Sequence, residues 1–239
     1  MRLSDLVPNF LKPVLRPVYD RLRIMAARQK SMEELHEYWR KPYDGDNLPW
    51  EDYSGEKLDE KLRSILLVDL VRKYVSEDAR ILEIGCNVGR NLHFLFESGF
   101  RNLEGIEISE DAVRLMKDTF PQMAGHASIY NKSVEEVIKE FEDRRYEAIF
   151  TMAVLEHIHS DSEWVFEEIV RVSKKYLITM EDERTVSWRH FPRHYRKIFE
   201  KAGMKQIEEI QCNKGDHGLR SNFYARVFLN SHNSVGPNL

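Results

Sequence analysis

The stretch Ile81-Leu82-Glu83-Ile84-Gly85-Cys86-Asn87-Val88-Gly89-Arg90-Asn91 decides the fold. Its first four residues are an apolar run interrupted by Glu83, which predicts a buried strand. Gly85 and Gly89 permit dihedrals closed to other residues and let a ligand approach the backbone. Asn87, between them, is one of the few other residues that tolerate a left-handed conformation. Strand, glycine turn and helix in that order put the turn at the carboxyl end of a sheet strand, where open α/β sheets bind ligands. A βα turn that needs glycine for geometry alone reads the same way. Glu107 adds a second signal: it ends the next strand, 22 residues after Gly85, with Ser109 as an N-cap behind it. A carboxylate there can accept both ribose hydroxyls of a nucleoside, whereas a merely solvated glutamate has no need of that spacing. A dinucleotide fingerprint requires Gly-x-Gly-x-x-Gly. Asn87 and Arg90 occupy the second and third of those places, which favours a nucleoside without a diphosphate.

Outward from this motif the chain alternates. Strands are predicted at 80–84, 102–107, 126–130, 146–151, 175–180, 205–211 and 221–228, with helices at 90–98, 109–119, 133–142, 161–173 and 192–202 between them. Asp161 or Ser162 can cap the fourth of these helices, and Gly203 ends the last. Such alternation argues for an α/β domain with a doubly wound, mostly parallel sheet covered on both faces. The last two strands have no helix between them and can pair as a hairpin across loop 212–220. Upstream, a helix is read at 58–74 with Leu62, Ile65, Leu66, Leu70 and Val71 on its apolar face, and another at 31–40 opened by a Ser31/Glu34 capping box. The chain thus divides into an N-terminal helical extension or lid (1–56), a main domain (57–229) and a polar tail (230–239).

Bulk properties exclude more than they assert. A net charge of −4 gives no reason to expect a nucleic-acid partner. Cys86 and Cys212 lie far apart, so a reducing compartment, the cytoplasm, is expected in place of a disulfide framework. No stretch approaches the roughly 20 consecutive apolar residues of a membrane-spanning helix. Residues 1–30, however, hold seven Lys or Arg against Asp5 and Asp20. Val7, Phe10, Leu11, Val14, Leu15, Val18, Leu22 and Met25 recur there at helical steps, interrupted by Pro13 and Pro17. A basic amphipathic stripe over 5–30 suits a peripheral contact with an anionic membrane, here the inner face. A docked helix or a homodimer contact fits the same pattern.

ILEIGCNVGRN followed by GIEIS resembles the first two cofactor motifs of class I S-adenosylmethionine-dependent methyltransferases, and YEAIFTMAVLEHI resembles the segment after their fourth strand in the small-molecule and glycan branch. The resemblance covers roughly residues 60–229. It implies a Rossmann-like, seven-stranded sheet with an antiparallel last strand, and S-adenosylmethionine as methyl donor. On that resemblance Glu83, Gly85, Cys86, Asn87, Gly89 and Asn91 surround the methionine part, Glu107 and Ile108 the ribose, and Ser133 and Val134, within Asn131–Val134, the adenine. Met152 lies beside them after the fourth strand. The family usually has an acidic residue at the place of Ser133. N-terminal extensions of this kind resemble those of methyltransferases of surface-polysaccharide biosynthesis, which implies a lipid- or nucleotide-linked sugar or another small molecule as acceptor. A nicotinamide-dependent oxidoreductase and a non-catalytic S-adenosylmethionine-binding module remain the alternatives.

A hydroxyl acceptor benefits from a base that titrates near neutrality. His157, in Met152-Ala153-Val154-Leu155-Glu156-His157-Ile158-His159, is the candidate catalytic base, against a reading as a packed or capping histidine. His157-x-His159, next to Glu156, offers two histidine ligands without a clear third, so a metal is not favoured and none is assigned. His190, His194, Asp216 and His217 are further acceptor-side candidates, and Tyr38, Trp39 and Trp50 could form an aromatic lid.

Overall fold

The computed structural model describes residues 30–42 and 57–231. All of the 5–30 stripe except Lys30, together with Trp50, lies outside them. The α-helices and strands of the described residues, in chain order, are α1 (Met32–Arg40), α2 (Leu58–Tyr74), β1 (Ile81–Ile84), α3 (Arg90–Glu97), β2 (Leu103–Ile106), α4 (Glu110–Thr119), α5 (Pro121–His126), β3 (Ser128–Tyr130), α6 (Val134–Val137), β4 (Tyr146–Met152), α7 (Trp164–Val172), β5 (Ser173–Asp182), α8 (Tyr195–Lys201), β6 (Met204–Gln211), α9 (Lys214–His217) and β7 (Phe223–Asn230). The seven strands form one sheet in the order β3-β2-β1-β4-β5-β7-β6. β1 to β5 pair in parallel, and β7 runs antiparallel to both β5 and β6. This is the Rossmann-like architecture expected from the motifs.

The two-residue period of the strands sorts the core onto two faces. Ile81, Ala148, Phe150, Ile178 and Val227 join a cluster with Leu67, Val71 and Leu92 from α2 and α3. Their neighbours Leu82, Ile149, Leu177 and Phe228 join Phe166, Tyr195 and Phe199 from α7 and α8. At the far end of β2 from the turn, the buried Glu104 accepts hydrogen bonds from Arg80 (2.6 Å), Tyr146 (2.9 Å) and Tyr130 (3.0 Å) and pairs with Arg145 (3.1 Å). Burial alone would raise its pKa; these donors hold it below the ordinary value.

Several readings need correction. Pro121 opens α5, so residue 126 ends a helix and β3 begins only at Ser128; proline suits a helix's first turn, where its missing N–H is not needed. The helix at 133–142 shortens to α6 and a 3₁₀ turn, Ile138–Glu140. The buried stripe of α2 comprises Glu60, Ser64, Leu67, Val68, Leu70 and Val71, whereas Ile65 is exposed. Packing on α3 turns Ser64 inward, where its hydroxyl donates to Asn91 Oδ1 at 2.8 Å. Neither Asp161 nor Ser162 caps α7; the His159 ring accepts from the Asp161 amide at the 3₁₀ turn before it. The β6–β7 hairpin forms as expected, but its loop contains α9, which packs on α2 through Arg63 Nε to Gly218 O at 2.8 Å.

Candidate active site

The carboxyl ends of β1, β2 and β4 open into one cleft of about 1300 Å³, its mouth included. The turn after β1 forms its floor. Gly85 has φ +73°, and a Cβ there would lie 2.4 Å from Val154 Cγ2. Asn87 takes the left-handed conformation its residue type allows, at φ +46°. Glu83, Gly85, Cys86, Asn87, Asn91, Glu107, Ile108, Ser133, Val134, Met152 and His157 all line the cleft. Gly89 does not. It caps α3 at φ +75°, and a Cβ there would meet Met116 Cγ at 2.7 Å and Met123 Cε at 2.8 Å, so its role is helix packing. Cys86 and Cys212 are buried free thiols.

Two buried carboxylates face the floor. Glu107 accepts from the amides of Asn87 and Ser109, both at 2.7 Å. Burial pushes its pKa up to about 7 against those hydrogen bonds. Glu83 accepts from Asn91 Nδ2 at 2.8 Å through Oε1, while its buried Oε2 has no hydrogen-bond partner among the described residues. Burial raises Glu83 to about 8, with Asn91 and Arg90 opposing. An unpartnered oxygen on a cleft wall is a place for a cation. Arg90, which replaced the third glycine of a dinucleotide fingerprint, runs to Ser64 Oγ at 3.0 Å and is buried.

α1 lies over this floor. Met32, Leu35, His36 and Trp39 line the cleft, and His36 pairs with Glu135 at 3.3 Å across it. Tyr38 points elsewhere: it is buried against Trp188 and accepts from Arg189 Nη1 at 2.8 Å. Ser133 is buried as the N-cap of α6, its hydroxyl accepting from the Glu136 amide. Sequence reading missed Arg63 on the wall, because nothing local marks it, and took in Lys132 only as part of the adenine segment.

On the β4 side, His157 donates from Nδ1 to Arg189 O at 2.7 Å, which leaves the lone pair on Nε2. That atom lies 3.7 Å from Glu156 Oε1. His190 Nε2 lies 3.8 Å from the same oxygen. Burial lowers the pKa of both imidazoles, that of His190 to about 4. Burial, then the neighbouring Glu181, raises that of Glu156. The fold therefore joins His190 to Glu156 and His157, a grouping hidden by the 32 residues between the two histidines. His159 turns aside to its capping bond, and His194, Asp216 and His217 do not line the cleft.

Residues 81–176 match the family model described as "Methyltransferase domain". Those residues form a methyltransferase domain, on the fold of class I S-adenosylmethionine-dependent enzymes. Its fold resembles magnesium protoporphyrin IX methyltransferase from Synechocystis PCC 6803 with bound SAH, at a TM-score of 0.64 and 14% identity, over 84% of this chain and 100% of that one. It also resembles the PH0226 protein from Pyrococcus horikoshii OT3 (TM-score 0.62, 17% identity, 82% and 99% covered). A sequence relative is the eEF1A lysine and N-terminal methyltransferase of Mus musculus, 24% identical over 99 residues, which are 41% of this chain and 14% of the mouse protein. S-adenosylmethionine is the cofactor of such methyltransferase domains, and among the described residues the cleft suits it: an unpaired carboxylate oxygen for a cationic amino group, beside a glycine turn that lines open space. Among the described residues no helix is long and apolar enough to cross a membrane.

Proposed function

We propose that the chain transfers the methyl group of S-adenosylmethionine to a hydroxyl oxygen of a small molecule, a lipid- or nucleotide-linked sugar being the preferred class. The observation that carries the cofactor half is Glu83 Oε2, buried in the cleft wall without a hydrogen-bond partner among the described residues. When bound, the cofactor supplies a methyl group already activated on a sulfonium. Glu83, held by Asn91, receives its amino group. Glu107 receives the ribose hydroxyls with the lone pairs that the Asn87 and Ser109 amides leave free. Gly85, Cys86 and Asn87 pack the methionine part, and Ile108, Ser133 and Val134 the adenine side.

For the acceptor half, Arg63 and Lys132 on the wall suit the phosphate of a nucleotide- or lipid-linked sugar. His157 Nε2, unprotonated and buried beside Trp39, is the atom that engages the hydroxyl. Trp39 and α1 exclude water from it. The mouse relative acts on protein, which gives a second reading, a lysine or amino-terminal acceptor. Incubating the chain with methyl-labelled S-adenosylmethionine and soluble or membrane extracts, then identifying the labelled product, decides between them. Label in a base-stable ether of a glycan or small molecule supports the proposal. Label on protein nitrogen replaces it with the second reading, and absence of binding by S-adenosylmethionine in calorimetry removes both.

A further inference from the structure

We propose that Glu156, His157 and His190 bind a divalent transition-metal ion at the β4 edge of the cleft. Glu156 Oε1 lies 3.7 Å from His157 Nε2 and 3.8 Å from His190 Nε2, and all three ligand atoms lie within 4.8 Å of one another. An ion bound at about 2.1 Å to each needs only small side-chain rotations to draw them in.

Each ligand is already oriented by a second contact. A carbonyl oxygen can only accept, so the bond from His157 Nδ1 to Arg189 O fixes the proton on Nδ1 and the lone pair on Nε2. His190 Nδ1 lies 2.6 Å from Ser187 Oγ, which aims its Nε2 at the same carboxylate. Glu156 spends Oε2 on the Asp182 amide and leaves Oε1 to the imidazoles. Metal-binding histidines are held in this way, by a hydrogen bond from the ring nitrogen that does not ligate.

Charge points the same way. Glu156, Glu181 and Asp182 are all buried in this wall. Among the described residues the only ion-pair partners of the trio are the two imidazoles at Glu156. Buried carboxylates need protons, paired charge or a metal. Two imidazoles with one carboxylate suit Mn²⁺, Fe²⁺ or Zn²⁺ better than Ca²⁺ or Mg²⁺, and three protein ligands leave positions open. An acceptor hydroxyl oxygen bound there would lose its proton to solvent water more readily, the ion taking over from His157 Nε2, whose lone pair it occupies, as the group that engages the hydroxyl. That role rests on the hydroxyl-acceptor reading above; the binding of the ion does not.

The test uses the full chain, free of any affinity tag, stripped with a chelator and titrated with Mn²⁺ by electron paramagnetic resonance and with Co²⁺ by visible absorption. One equivalent should bind. His190→Ala and Glu156→Gln should each weaken binding at least about tenfold, while His194→Ala, off the cleft, should leave it unchanged. Where the alanine variant fails to fold by circular dichroism, His190→Gln takes its place. No stoichiometric binding by the unmodified chain, or binding indifferent to His190 and Glu156, overturns the proposal. Calorimetry with S-adenosylhomocysteine on the same samples separates the two ideas: cofactor product bound without metal leaves the cleft standing and the ion refuted, and the converse leaves the ion standing alone.

Discussion

Gly85 sits where a single methyl group is too much. Its φ of +73° disfavours any L side chain, and the added Cβ would press on Val154 at 2.4 Å. Gly85→Ala should cost about 1–3 kcal/mol, read as a fall of several degrees in melting temperature without loss of secondary structure. An unchanged melting temperature would mean that the turn is not held in this conformation. Glu83 carries the complementary test. Glu83→Gln keeps the shape and removes the charge, so affinity for S-adenosylmethionine should fall about 10- to 100-fold, the worth of one charged hydrogen bond. Burial raises the carboxyl to about 8, so cofactor affinity in the unmodified protein should rise as pH climbs from 6 toward 8, before the cofactor's own amino group gives up its proton. The glutamine variant should lose that slope in calorimetry. Residues of this kind were legible because their task is tied to the backbone: Gly85, Asn87 and Glu107 are recognisable from turn geometry and strand-end position. His190 was not, because its ring reaches Glu156 only through tertiary packing. Gly89 was recognised as a glycine position, but its close approach to Met116 and Met123 was not foreseen.

At the scale of elements, strands and long helices followed from periodicity, and α2 was placed at Leu58–Tyr74 to the residue. Its buried face was not, because apolar counting cannot foresee that Glu60 is buried and that Ser64 turns inward against α3. α5 was overlooked because a proline that usually marks a break here opens a helix. α1 is the informative case. Its capping box was readable, with Ser31 and Glu34 each bonding the other's backbone, but its position above the cleft was not. The helix spans nine residues and would be marginal alone, so it depends on that cap and on contacts such as His36–Glu135. Ser31→Ala should cost about 1 kcal/mol of local helix stability. Hydrogen exchange over 32–40 should quicken, and S-adenosylhomocysteine should dissociate faster, with little change in global melting. An unaltered dissociation rate would remove α1 from any part in retaining the ligand.

For the whole molecule, stability should be greatest under mildly acidic conditions when no ligand is bound. Glu83 and Glu107 have folded pKa values raised by burial to about 8 and about 7. Their contribution is therefore complete below about 4.5, the unfolded value, and is lost as pH rises through 7 and 8. Glu104 has the opposite sign: its lowered pKa adds stability above the unfolded value and withdraws it in acid. Urea unfolding at pH 5.5, 7 and 8.5 should show stability falling with pH by a few kcal/mol in all, and saturating S-adenosylhomocysteine should flatten the fall; a flat profile without ligand would contradict the burial of these carboxylates. The order of the sheet has a further consequence. β7 is inserted between β5 and β6, so β6 has no strand to join until Phe223–Asn230 has been made. As the nascent chain leaves the ribosome, β1 to β5 can assemble in sequence, but one edge waits open for the final strand. Pausing of translation after Gln211 would hold that edge exposed and give neighbouring chains their opportunity to aggregate.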